Sequence, residues 1–345
     1  HDSVARYTAL GVECIHGSAK IVSPWAVEIE SNGERRTLST RNIVIAAGAR
    51  PFVPPIPGLA DIKPLTSDTV WSLRTLPRRL VVLGGGPIGC ELAQCFARFG
   101  SAVTQVEMLP RLLSREDDDV SALMEQRLRA DGVNVLTGHR ALRVVVENGE
   151  KMLIADHGGS EIRVPFDEIL CALGRVANTT GYGLETLGVP TTAQRTVEIN
   201  EYLETSFPNI FAAGDVAGPY QFTHTASHQA WYAAVNALFG RFRKFKADYS
   251  VIPWVTFTEP EVARVGLNER DAKDKKIAFD ISRYDLAELD RAITDEAARG
   301  FVKVLTAKGS DRILGATIVG EHAGDRKSTR LNSSHTDRSR MPSSA

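Results

Sequence analysis

No apolar run in this chain of 345 residues approaches the roughly 18–20 that a membrane-spanning helix needs, so no membrane span is expected. Cysteine is scarce. Four residues (Cys14, Cys90, Cys95 and Cys171) are too few for a disulfide scaffold, and they read as the reduced thiols of a cytoplasmic protein. Neither sign of charge dominates: 41 Lys and Arg stand against 42 Asp and Glu, which leaves no basic footprint for nucleic acid. There is no internal repeat of solenoid length. What is present is 43% apolar and 24% charged residues, too hydrophobic for disorder and enough for two or three packed domains.

The chain opens on His1 with no charged-then-apolar leader, which reads as a fragment edge rather than a targeting peptide. The stretch from Arg326 to Ala345 holds six Ser and five Lys or Arg with almost nothing apolar. It cannot bury a core and is expected to be a non-native, disordered tail. Its net charge of +4 leaves the rest of the chain mildly acidic, at −5.

Between these ends the hydrophobic pattern changes register several times. Val12 to Ile15, Ala19 to Val22 and Ala26 to Glu30 alternate as short antiparallel strands, broken by Asn32-Gly33. Asn42 to Gly48 reads as a strand buried on both faces that stops at a glycine, followed by a Pro-rich crossing from Pro51 to Gly58. Arg79 to Gly84 is an apolar strand that leads into a glycine turn, then a helix from about Pro87 to Phe99 and a strand over Ala102 to Glu107. Ser114 with Asp117 suggests a capping box ahead of a helix through Leu128, and Val133 to Leu136 is the next strand. This βαβαβ order predicts a parallel, doubly wound α/β sheet of the Rossmann kind. Ile210 to Asp215 is another buried strand ending in a glycine, with a helix from His224 to Phe239. Beyond Tyr249, a hairpin of Phe301–Thr306 with Ile313–Val319 suggests an α+β domain.

Gly84, Gly85, Gly86, Pro87, Ile88 and Gly89 fit G-x-G-x-x-G, with an acid, Glu107, at the end of the following strand. The pattern alone also fits a tight turn followed by a surface acid. In the order strand, turn, helix and acid it reads as a dinucleotide fingerprint. Gly84 permits the turn, Gly86 lets backbone approach a pyrophosphate, and Gly89 allows close helix–strand packing. The helix amino terminus presents unpaired N–H groups to the phosphates. Glu107 would accept hydrogen bonds from the adenosine ribose and repel a 2′-phosphate, which favours NAD(H) over NADP(H).

Those residues, together with Ala47-Gly48-Ala49-Arg50-Pro51, Leu173-Gly174-Arg175 and Ala213-Gly214-Asp215, resemble the flavin-dependent pyridine nucleotide–disulfide oxidoreductases. The dihydrolipoyl dehydrogenase and mercuric-reductase-like branches look closest, and the likeness runs from about Val12 to Asp325. The resemblance implies two Rossmann-like domains plus an α+β dimerisation domain. Residues 1–76 and 195–247 would form the FAD-binding domain, 77–194 an inserted NAD-binding domain and 248–325 the interface domain of a homodimer. Gly48, Gly214 and Asp215 would hold FAD, and Gln221, Phe222, Thr223, His224, Thr225 and Ala226 would line its flavin ring. Glu91 would lie near flavin N5, while Gly174 and Arg175 would flank the nicotinamide. The activity implied is transfer of hydride from NADH through flavin to a disulfide-type acceptor. Alternatives are a quinone, peroxide or metal-ion acceptor, or nucleotide binding without catalysis.

Three features of the family are not in this sequence: its FAD glycine motif, its redox Cys-x4-Cys and its carboxy-terminal base His. The chain is therefore expected to be incomplete for turnover. Ala177 also stands where the family usually has Pro. Cys90 and Cys95 share the x4 spacing, but on one helix they would point about 140° apart with Cα atoms roughly 8–9 Å from each other. That is too far for a bridge, and both read as buried small apolar side chains. His224 and His228 could share a helix face, yet no third ligand is apparent, and hydrogen-bonded roles fit better than a metal site. The run Arg115 to Asp119 reads as a helix amino terminus complementing its dipole.

Overall fold

The computed structural model describes residues 3–325, so the expected tail lies outside the described residues. The chain divides into two compact units. One comprises residues up to Arg50 together with Val176–Asp248, and the other comprises Pro51–Arg175 with the segment from Tyr249 onward. These units divide at 50/51 and 175/176, whereas the seams implied by the family resemblance lie at 76/77 and 194/195. Packing explains the shift. Leu65–Thr66 joins a parallel sheet beside Glu168–Cys171, and Leu59 and Val70 are buried in the same unit. Leu184 and Val189 pack instead with Ile21, Ile43 and Ile210.

In the first unit, strands Ser18–Ser23, Ala26–Ser31 and Glu34–Ser39 form an antiparallel sheet. Asn32 and Gly33 both have positive φ (52° and 82°), the two-residue turn that matches strand twist. Val12 to Ile15 is not a strand; Val12 and Ile15 are exposed and the Val12 amide closes a turn on Tyr7 O. Ile43–Ile45 pairs in parallel with Ile210–Ala212. Ile43 and Ile45 are buried, whereas Val44 between them is 45% exposed, so this strand is buried on one face and not two. The helix Thr223–Phe239 follows, starting one residue before the expected position.

In the second unit the parallel sheet has the strand order Leu65–Thr66, Glu168–Cys171, Arg79–Leu83, Ala102–Glu107, Asn134–Thr137. The central strand is buried on both faces, as parallel strands are. Leu80 and Val82 pack with helices Pro87–Arg98 and Asp118–Ala130, while Val81 and Leu83 face the opposite side. That opposite side is covered not by helices but by an antiparallel meander, Arg140–Glu147, Glu150–His157 and Ser160–Phe166. Its turns, Asn148-Gly149 and Gly158-Gly159, have positive φ throughout. The C-terminal part is a five-stranded antiparallel sheet in the order Trp254–Thr256, Glu261–Gly266, Ile313–Gly320, Phe301–Ala307, Phe279–Asp285. A capping box between Asn268 and Asp271 starts its helix Glu269–Asp274.

Candidate dinucleotide sites

Strand Arg79–Leu83 ends in a turn whose glycines differ in what holds them. Gly84 has φ +112°, and a Cβ there would lie 2.5 Å from the Ala172 carbonyl. A Cβ at Gly89 would run into the carbonyl oxygen of Gly84, so the helix can sit on the turn only if residue 89 has no side chain. Gly86 is different. Its backbone (φ −77°, ψ −179°) suits any residue, and a Cβ would meet nothing within 4 Å. Neither strain nor packing demands a glycine there, and the backbone at this position is left open. Gly86 is the N-cap of Pro87–Arg98, no side chain caps that helix, and Pro87 takes its first position. Ile88 and Gly89 follow in the first turn, where amides point at an incoming anion.

Glu107 comes to the same place. Its Oε2 accepts from the Gly85 amide (2.5 Å) and its Oε1 from the Leu109 amide (2.7 Å). Two backbone donors thus fix the carboxylate against the turn while its outer lone pairs stay available. On the neighbouring strand end, Gly174 has φ +100° and its carbonyl accepts from Phe52 N. Arg175 Nη1 reaches Ser67 Oγ (3.3 Å) and Asp68 Oδ1 (3.5 Å).

Glu91 lies on the same helix but away from Glu107. Its Oε1 accepts from the Phe257 amide at 2.8 Å, and burial pushes its carboxyl up from the ordinary range against that hydrogen bond. A raised folded-state value means stability is lost as pH rises and the group ionises. Glu91→Gln keeps the acceptor and removes the buried charge. Its melting temperature should match or exceed that of the unaltered chain at neutral pH, with the gap closing in acid. A lower melting temperature at neutral pH would refute this.

The first unit carries a second glycine-ended system. Gly48 has φ +64°, and its carbonyl accepts from the Asn178 amide (3.0 Å), while Asn178 Nδ2 donates to Ala47 O (2.9 Å). The turn after Ala177 is therefore held without the family's Pro. Gly214 (φ +79°) sits 3.3 Å by its would-be Cβ from Ala226, which brings Asp215 to the start of Thr223–Phe239. Gln229 clamps this turn, accepting from Gly214 N (2.6 Å) and donating to Gly218 O (2.5 Å). No side chain caps the helix, and Thr225 Oγ1 is buried without a hydrogen-bond partner. Of the remaining residues expected there, Gln221, Phe222 and Ala226 are half-buried and Thr223 and His224 exposed, with Phe222 stacked on His224 at 5.3 Å. His228 Nε2 pairs with the Asp248 carbonyl at 2.8 Å. A helix start with no side-chain cap beside a positive-φ glycine presents its first-turn amides to an electron-rich group.

Several readings of the sequence are corrected. Cys90 is buried, its thiol pushed up to about 12 by burial, but Cys95 is exposed rather than buried; all four cysteines are free. Ser114 caps nothing. Asp117 is the N-cap of Asp118–Ala130, and its carboxylate instead accepts from the amides of Glu269 and Arg270. The acidic run does more than complement a dipole. Lys303 Nζ, 1% exposed as a residue, meets Asp117 (2.9 Å), Asp119 (2.8 Å) and Glu269 (2.9 Å). Buried Arg264 pairs with Asp271 (2.6 Å) and Glu116 (3.1 Å) and lies 4.1 Å over the Trp254 ring. Nothing in the run itself names these distant cations. Gln105, inside the strand Ala102–Glu107, and Gln229, inside the helix Thr223–Phe239, were also missed.

A parallel sheet with a fingerprint turn in one unit, a second glycine-ended strand pair in the other, and an antiparallel C-terminal sheet define a tandem dinucleotide-binding α/β protein. The family model described as pyridine nucleotide-disulphide oxidoreductase matches residues 2–230, and the model of its dimerisation domain matches 252–330. A mercuric reductase of Streptomyces lividans is 38% identical over 326 residues, covering 93% of this chain and 68% of that protein. A dihydrolipoyl dehydrogenase of Thermus scotoductus is 36% identical over 91% of this chain and 67% of that protein. Among solved structures, the HOCl-induced flavoprotein disulfide reductase RclA from Escherichia coli matches with a TM-score of 0.81 at 28% identity, covering 91% of this chain and 70% of that one. The chain belongs to the pyridine nucleotide–disulfide oxidoreductase family. It spans 49–56% of several further mercuric reductases that it matches. No helix among the described residues is long and apolar enough to cross a membrane.

Proposed function

We propose that this chain is the greater part of an FAD-dependent NAD(P)H oxidoreductase that passes electrons from NADH through flavin to a disulfide-type acceptor. The observation that carries the reading is Gly86, open and unstrained at a helix start, with Glu107 fixed against the same turn. The first-turn amides of Pro87–Arg98 would hold the pyrophosphate, and the free lone pairs of Glu107 would take the ribose hydroxyls. Gly174 and Arg175 would lie along the nicotinamide half. In the other unit, Gly48, Gly214, Asp215 and residues Gln221 to Ala226 would hold FAD. When bound, FAD supplies the two-electron relay between NADH and the acceptor. Glu91, whose carboxyl burial raises, is the acid that the family resemblance would assign to flavin N5. The names of the first relatives favour a metal ion as the second candidate acceptor.

A homodimer is supported by the dimerisation-domain match and by Tyr284, Val302 and Ile318, aligned across three strands of the C-terminal sheet. Four free cysteines favour the cytoplasm. Mixing the purified chain with FAD and NADH in a stopped-flow spectrometer should bleach flavin once, without sustained NADH consumption. No bleaching from a chain that binds both would overturn the redox reading. Preference for NAD(H) rests on the carboxylate of Glu107. Glu107→Arg should shift the ratio of NADP+ to NAD+ affinity by roughly tenfold or more toward NADP+, and an unchanged ratio would refute the assignment.

A further inference from the structure

Gln105 is fully buried beneath the glycine turn, on the strand that ends in Glu107. Its Nε2 donates to the Gly84 carbonyl at 2.9 Å and lies 3.6 Å from Cys90 Sγ. Its Oε1 is buried with no hydrogen-bond partner. The orientation of the amide follows from chemistry, because the Gly84 oxygen can only accept. A buried amide oxygen without a partner costs stability, so a Gln here needs a reason beyond folding. The geometry around it gives one. The Gly84 amide donates to Val106 O, the Gly85 amide to Glu107, and the Gly85 carbonyl accepts from Leu113 N at 2.7 Å. The Gly84 carbonyl, the atom against which Gly89 packs, is held from behind the turn by the Gln105 side chain, while the Gly85 carbonyl takes a longer contact from Cys90 Sγ at 3.4 Å.

We propose that Gln105 is a positioning residue for the diphosphate of the bound nucleotide: its amide pins the Gly84 carbonyl, which sets the path of backbone from Gly84 to Gly89. The proposal rests on the nucleotide site described above. Gln105 touches no ligand; it acts through the turn. Replacing it with an apolar side chain of similar length removes the pin together with the orphaned oxygen. Folding should then change little, while the turn loses the geometry that receives a diphosphate.

The test is calorimetric titration of the full chain, unaltered and as Gln105→Met and Gln105→Leu, with ADP-ribose and with adenosine. ADP-ribose carries the diphosphate, whereas adenosine reports only the Glu107 end. Each variant should bind ADP-ribose roughly tenfold more weakly, with adenosine affinity within about twofold and a melting temperature close to that of the unaltered chain. Equal ADP-ribose affinity in variant and unaltered chain, or an equal loss for both ligands, overturns the positioning role alone. If the unaltered chain binds neither ligand, the nucleotide site itself is refuted and this role falls with it.

Discussion

Lys303→Met should lower the stability of the second unit by about 3–5 kcal/mol, the largest effect expected of any single substitution in the ion-pair cluster. Its ammonium is almost wholly buried and meets Asp117, Asp119 and Glu269 at 2.8–2.9 Å. Burial pulls the Lys303 pKa down, but hydrogen bonds to Asp119, Glu269 and Asp117 outweigh it and leave the group above its ordinary value. A raised value means the stabilisation is present through neutral pH and lost only as the solution becomes strongly alkaline. Methionine removes the cation that Asp117 meets, while Asp119 keeps Arg283 at 2.7 Å and Glu269 keeps Lys273 at 3.5 Å. Asp119 and Glu269 keep some contact with solvent, which holds the cost toward the lower figure. In a domain of this size, that corresponds to a fall in melting temperature of about 6–12 °C. Asp119→Asn added to Lys303→Met should recover part of the loss, since the two sites are coupled. A melting temperature for Lys303→Met within a degree or two of the unaltered chain would contradict the network's role.

The second large effect separates two glycines three positions apart. Gly89→Ala should destabilise by about 1–3 kcal/mol, because the new methyl meets the Gly84 carbonyl, which is backbone and cannot swing aside. The helix must lift off the turn, and nucleotide binding should be lost with it. Gly86→Ala meets open space on backbone that alanine adopts freely, so its stability should change by under about 1 kcal/mol, mostly from a poorer N-cap. Binding should nevertheless fall, because the methyl occupies the approach to the first-turn amides. Thermal melts paired with NADH titrations check both. NADH binding by Gly86→Ala equal to that of the unaltered chain would show that Gly86 has no ligand to clear.

The parts of the fold that could be read ahead share one property: their signal is local. The strand Arg79–Leu83, the glycine turn and the helix after it sit within twenty residues, and each fixes its neighbour through backbone sterics. Glu107 stands out in the sequence as the acid that ends the strand after the glycine turn and its helix. The meander at 140–166 carries local signals in Asn148-Gly149 and Gly158-Gly159, turn pairs with positive φ, but the sequence reading assigned nothing to this stretch. Lys303 and Arg264 were not legible, because a lone cation within a strand pattern says nothing about which carboxylates the fold brings to it, Asp117 and Glu116 lying more than a hundred residues away. The same holds for Cys95: its neighbours match those of a buried position, and only helix packing decides which face meets solvent. Asp117 was misread for a related reason, since its carboxylate serves the helix of another segment rather than its own.

The most direct test of the central claim is fluorescence titration of NADH into the unaltered chain and into Gly86→Val. Saturable binding by the unaltered chain, lost in a valine variant that melts at nearly the same temperature, is the predicted result. Equal binding by both, or none by either, would contradict a dinucleotide seated on the backbone of residues 84–89.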